Sequence, residues 1–261
     1  MAHGTVHTDA GALPRLTGPV ATVVVAVVAL AWYVVWTTQD LAMSVMAAPT
    51  MGTGIDATVL AVFFLLMTVM MVAMMLPSAL PMVLAYRGLT RLEGGRPARP
   101  ADDLGTFLFV LPYFVVWGGF AVLALLGLAA LGLLGPFTGT LAFAPAAVLL
   151  AAGAYQFTRP KEVCLSHCES PMSFVMLHWR PGRGGAVRMG LRHSVYCIGC
   201  CWLFMLVLFV TGAMSLLWMG IVAILIFVEK VGFRAFPASR AVAVVLLAFG
   251  GIVAAQALLA A

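Results

Sequence analysis

The chain has 261 residues, of which 64% are hydrophobic and 9% are charged. Soluble domains run nearer half apolar and a quarter charged, so an ordinary water-soluble globular protein is excluded and a polytopic membrane protein remains. The net charge of +5 suggests a polyanionic partner only until the positions of the charges are read.

Residues 1–18 are mixed and polar and carry Arg15 near their end. They lack the basic start, short apolar core and small-residue cleavage site of a removable signal, and read as a cytoplasmic tail before a retained first span. His3 and His7 in this tail are too sparse for a metal-binding segment. A helix needs roughly 17 to 25 apolar residues to cross a bilayer core. On that criterion a single transmembrane domain runs over 19–260, with spans expected at 19–36, 57–86, 104–134 and 141–157. Residues 90–103, rich in Arg, Pro and Gly, read as a solvated connector. A polar loop follows at 158–192. The run 193–228 is too long for one helix and divides near Thr211 and Gly212; residues 241–259 form the last span. The expectation is an all-α bundle of seven transmembrane helices.

Arg15 precedes the first span. Arg87, Arg91, Arg96 and Arg99 fall between the second and third. Arg159, Lys161, Arg180, Arg183, Arg188 and Arg192 lie between the fourth and fifth, and Lys230, Arg234 and Arg240 between the sixth and seventh. All 14 cations thus share one side, while the opposite loops hold Asp40 and Asp56. The positive-inside rule puts the N-terminus in the cytoplasm and the C-terminus outside. Anionic headgroups and topology account for the positive balance, so no nucleic-acid partner is needed.

All five cysteines, Cys164, Cys168, Cys197, Cys200 and Cys201, lie in one short window with His167, His178 and His193. Proline suits the first turn of a helix, so Pro160–Glu169 is expected to be helical and to stop before Pro171. Cys164, His167 and Cys168 then share a face at i, i+3 and i+4. His193, Cys197, Cys200 and Cys201 form a second stripe, and Gly199 would let a neighbour approach closely. Thiolate and imidazole are soft or borderline donors that suit Cu(I) and Zn(II) and disfavour Mg or Ca. Arg159, Lys161, Arg188 and Arg192 are expected to lower the thiol pKa values. A closed zinc clip tying the loop to the fifth span uses the same donors, and spacing does not separate the two. Cys197–Cys200 is also a C-x-x-C, but no thioredoxin-like pattern surrounds it, and the adjacent Cys201 and histidines favour ligation over exchange.

Sixteen methionines are an unusual number, and Met67, Met70, Met71, Met74 and Met75 lie along one face of the second span. They serve either as flexible packing or, as soft thioethers, as a path for a metal ion. Pro77 and Pro81 are expected to break that span, with Ser78 in the break, and broken helices commonly line a binding site. Tyr155 and Gln156 are polar residues available to the same interior. Glu229 beside Lys230 is a weaker candidate that also fits a simple interfacial pair. Pro171–Trp179 carries Met172, Val175, Met176 and Trp179 at helical spacing and reads as a short interfacial helix. His178 falls off that stripe and is a weaker ligand candidate.

At these residues the chain resembles a bacterial family of predicted metal-binding integral membrane proteins of unknown function. The resemblance rests on MMVAMMLPSALP (70–81), YQFTRPKEVCLSHCESP (155–171), HWRPG (178–182), MGLRHSVYCIGCCW (189–202) and VEK (228–230). It covers residues 57–232 or so and implies membrane location and metal binding, with no reaction to carry over. Ser194 stands where the family commonly has glycine, and Glu169 where it commonly has a basic residue.

The reading is therefore an inner-membrane protein that binds a soft transition metal, Cu(I) favoured over Zn(II), for transport, delivery or homeostasis. Its site would be Cys164, His167, Cys168, His193, Cys197, Cys200 and Cys201, with the methionine face as a second path. Expected partners are the lipid bilayer and a metallochaperone or another membrane subunit. The alternatives are a membrane thiol-redox or metalloenzyme-assembly subunit, and a transporter with only a structural zinc clip. Paired catalytic carboxylates, nucleophile triads and nucleotide-binding motifs are absent, so no catalytic residue is assigned.

Overall fold

The computed structural model describes residues 13–47, 56–93, 96–97, 102–132, 142–211, 215–231 and 238–260. His3, His7, Arg99, Arg234 and residues 212–214, where the run 193–228 is expected to divide, lie outside the described residues. The architecture is all-α. Helix α1 spans Leu13–Ala47, longer than the expected 19–36. Thr37 and Thr38 donate their hydroxyls to the carbonyls of Tyr33 and Val34, which keeps polar residues inside the helix. Helix α2, Ala57–Thr90, begins where Asp56 accepts from the Val59 N–H at 2.8 Å.

The expected break in this helix does not occur. α2 runs unbroken through Pro77 and Pro81. Proline removes an N–H and crowds the carbonyl four residues earlier. Here the buried Ser78 donates its hydroxyl to the Met75 carbonyl at 2.9 Å, and dense packing on both sides of the prolines holds the helix together.

After α2, strands β1 (Leu92–Glu93) and β2 (Arg96–Pro97) pair antiparallel as a minimal hairpin inside the connector. Helix α3, Asp103–Ala130, is capped by Asp102, and its Asp103 pairs with Arg87. Helix α4, Ala144–Tyr155, has Pro145 in its first turn and packs along the last helix of the chain. The segment 158–192 holds the two short helices expected in it, and its last part, expected as loop, is helical as well. It comprises α5 (Arg159–Glu169), α6 (Pro171–His178) and the start of α7 (Gly182–Thr211). Pro160 and Pro171 sit in the first turns of α5 and α6. Gly182 opens α7 with φ 78°, a left-handed conformation that favours glycine. Arg183, Arg188 and Arg192 therefore ride on a helix rather than a loop. α7 ends at Thr211, with α8 at Leu216–Val231 and α9 at Ala238–Ala260.

Among the described residues, five helices are long and apolar enough to cross a membrane: α1, α2, α3, α7 and α9. The other two expected spans, α4 and α8, have 12 and 16 residues. The main core joins α2, α3, α7 and α8 around Met67, Trp117, Phe204 and Ile226. A second cluster docks α6 onto α2, α3 and α7 through Phe174, Val175, Tyr86 and Phe109, the last two rings stacked at 4.7 Å. The expected stripe thus divides: Val175 is buried, beside Phe174 from outside the stripe, while Met172, Met176 and Trp179 are exposed. An eight-residue helix docks only the side that meets its neighbours, and here that side is chosen by the aromatic rings of α2 and α3.

Candidate metal centre

The centre forms where α5 lies against the middle of α7. A β-carbon at Gly199 would collide with the sulfur of Cys164, so glycine is what lets α5 come this close. The hydroxyl of Tyr155 donates to the Gly199 carbonyl at 2.6 Å and ties the end of α4 to the same turn. Gly199→Ala should displace Cys164 and cost about 1 kcal/mol by overpacking. A thermal melt of the variant should show a drop of a few degrees, with the other thiols undisturbed.

On α7 the sulfurs of Cys197, Cys200 and Cys201 all lie within 4.8 Å of one another and are buried. Cys200 Sγ is 3.1 Å from Cys201 Sγ and 4.0 Å from Cys168 Sγ of α5, so two helices contribute to one group of thiols. Cys200 Sγ also donates to the Cys197 carbonyl at 3.2 Å. Around Cys197 the ring of donors is completed by Tyr113 of α3, its hydroxyl 3.1 Å from the sulfur, and by Lys230 of α8, whose ammonium donates to it at 3.0 Å. A buried ammonium is costly without a counter-anion, and a Cys197 thiolate would compensate it.

A second buried lysine braces the helices. Lys161 donates to the Cys200 carbonyl at 2.7 Å and to Glu229 Oε2 at 2.6 Å, and lies 5.0 Å from the centroid of Phe204. Both partners of this ion pair are 1% exposed. Burial alone would lower the Lys161 pKa. The Glu229 carboxylate and the nearby thiols outweigh it, and the ammonium is held above its usual value.

The expectation of lowered thiol pKa values is corrected on α5. Burial raises Cys164, against which Lys161 pulls in the opposite direction. Cys168 is held well above the ordinary thiol value, first by its hydrogen bond to Cys197. Arg188 and Arg192 face elsewhere, lining with His178 and Arg180 a separate cavity of about 280 Å³.

The three histidines stand apart from the thiol group. His193 is 5% exposed and stacked on Tyr113 at 5.4 Å and Phe109 at 6.2 Å, and neither ring nitrogen has a hydrogen-bond partner. It borders a cavity of about 10 Å³ with Leu76, Ala79 and Tyr113. His167 is half-buried, stacked on Tyr196 at 4.0 Å, with Nδ1 donating to the Val163 carbonyl. His178 makes the same bond to the Phe174 carbonyl at 2.9 Å. Gln156 is buried with its Oε1 unpartnered. Met67, Met70, Met71, Met74 and Met75 are each at most 2% exposed and belong to the same continuous core as Cys197, Cys200 and Cys201.

Lys230 and Tyr113 were not expected at the centre, and Lys161 was expected only as one of several charges near the thiols. Lys230 reads as a topology marker, and Glu229 as a weaker site candidate or a partner for its neighbour Lys230. The available signal was that Glu229 and Lys230 end an apolar helix, where an ionisable group is a functional candidate by default. Glu229 in fact pairs with Lys161, 68 residues away.

The donor set fits a soft ion: three thiols in one compact group, a fourth alongside, and an unpartnered imidazole on the same helix. No curated protein and no solved structure matches the chain. A family model of copper chaperones, PpoB2, matches residues 64–253, which contain every residue of this centre. The chain belongs to the PpoB2 copper chaperone family.

Proposed function

We propose that the protein receives copper as Cu(I) on Cys168, Cys197, Cys200 and Cys201 and passes it on within the membrane. The observation that carries this reading is the group of three buried thiols within 4.8 Å on α7, with Cys168 4.0 Å from Cys200. Thiolates select Cu(I), which is satisfied by two or three sulfur donors. A structural Zn(II) takes four ligands in a tetrahedron, whereas the group of sulfurs that all lie within 4.8 Å of one another holds three, with Cys168 outside it. His193, one helical turn from Cys197 with both ring nitrogens unpartnered, is the neutral donor to which the ion would next be passed. Cys164 and His167 flank the α5 side. The methionine face of α2, buried in the same core, is the second path.

In this reading α4, extended by its flanking residues, and α8 complete seven spans. The N-terminus and the cation-bearing segments are cytoplasmic, and the membrane is the bacterial inner membrane. In this reading the ion moves by exchange with a partner.

Anaerobic Cu(I) titration of the reduced protein against a colorimetric chelator tests this. Stoichiometric binding with sulfur-dominated X-ray absorption is expected, and the C197S/C200S/C201S variant should lose it. Stoichiometric Zn(II) with no affinity for Cu(I) would overturn the copper reading. Modification of Cys164 by an impermeant thiol reagent from the cytoplasmic side alone is expected, and labelling from the outside would reverse the topology.

A further inference from the structure

A cleft of about 460 Å³ opens at the turn between α5 and α6. Its walls include Pro81 of α2, Cys168 and Glu169 at the end of α5, Met172 and Ser173 of α6, and Lys230 of α8. Small-molecule sites commonly enclose roughly 300–1,000 Å³, so the cleft admits a ligand of that class and not a folded domain. It differs from an ordinary surface groove in where it leads. Lys230, on its inner wall, is the residue whose ammonium holds Cys197. Cys168, 8% exposed, lies 4.0 Å from Cys200, which in turn lies 3.1 Å from Cys201.

We propose that this cleft is the port through which Cu(I) is loaded, that Met172 and Cys168 form the sulfur site that first meets it, and that the donor is a small thiolate complex of Cu(I). The proposal rests on the copper reading above. Exposure falls along the sulfurs in the order transfer requires: Met172 is 50% exposed, Cys168 8%, Cys200 2% and Cys201 1%. Cu(I) changes ligands by bonding the incoming sulfur before the outgoing one leaves, so successive donors must lie close together. The steps from Cys168 inward are 4.0 and 3.1 Å.

The exchange balances without a redox partner. The Cys168 sulfur bonds copper, the donor's copper–sulfur bond breaks, and the proton of Cys168 leaves on the donor's thiolate. Copper stays Cu(I) throughout. Met172 adds a thioether, a soft donor that needs no deprotonation. Met176, also exposed on α6, is not part of the cleft and serves as the internal control.

The test is stopped-flow transfer of Cu(I) from its glutathione complex to the full chain in detergent, read by thiolate–copper absorbance, with final occupancy measured in the same run. Met172→Leu and Ser173→Trp, which fills the cleft, should each slow loading by roughly tenfold or more at unchanged final occupancy. Met176→Leu should load at the wild-type rate. Full-rate loading of Ser173→Trp would overturn the port, and equal rates for Met172→Leu and Met176→Leu would remove Met172 from the path. Failure of the wild-type chain to bind Cu(I) at equilibrium would instead sink the copper reading, and the port with it. Unchanged final occupancy in a slowed variant shows that the inner site is still folded.

Discussion

Lys161→Met should be the most destabilising single change in the centre, at about 3–5 kcal/mol. The side chain is 1% exposed, and its ammonium is shared between the Glu229 carboxylate and the Cys200 carbonyl. Removing it leaves Glu229 charged, buried and stripped of its partner on Oε2, while Oε1 already has none. The opposite change has the same logic: Glu229→Gln strands Lys161. Replacing both, as in Lys161→Met with Glu229→Leu, removes the uncompensated charge and should recover most of the stability. A double-mutant cycle of denaturation in detergent measures this, and the expected outcome is strong non-additivity. Two small, additive losses would show that the pair is solvated rather than sealed between α5 and α8.

Lys230→Met should spare the fold more than Lys161→Met but weaken Cu(I) binding by roughly a hundredfold or more, the effect of losing a buried compensating charge. Two thiolates on one Cu(I) carry a net negative charge, and the ammonium 3.0 Å from Cys197 is the cation placed to balance it. The bound copper fraction against a chelator of known affinity reports the loss directly. Lys230→Arg keeps the charge and should restore part of it. The same titration should depend on pH with a defined sign. Cys168 sits above the ordinary thiol value, so near neutrality it is protonated, and copper must displace that proton. Affinity should therefore rise about tenfold per pH unit for each proton released and fall in acid. Affinity independent of pH between 6 and 8 would mean, within about a pKa unit, that the ligands are already deprotonated.

Much of this centre can be read from residue order because its parts are local. Cys164 and Cys168 are about one turn of helix apart, as Cys197 is from Cys200 and Cys201, and helical geometry alone puts each set on one face. Pro160 and Pro171 announce the starts of α5 and α6, and Gly199 announces a close neighbour, which proves to be Cys164. The prolines of α2 mislead for the converse reason. Whether a helix survives a lost N–H depends on Ser78 and on packing around the break. The length of α7 was likewise underestimated, because arginine-rich residues 183–192 suit a helix as well as a loop.

The sequence by itself determined that the chain is an all-α membrane protein and that its soft donors fall into two helical sets. Composition and periodicity are properties of neighbours along the chain, and both are printed in the residue order. Only the tertiary structure decided which donors meet. It brought Cys168 to Cys200, turned His167 onto Tyr196, enclosed His193 among aromatic rings, and exchanged the local pair Glu229–Lys230 for two distant ones, Glu229 with Lys161 and Lys230 with Cys197. The reason is the cost of burying charge. An ion sealed between helices must find its counter-charge across the bundle, and its neighbour in sequence points to another face.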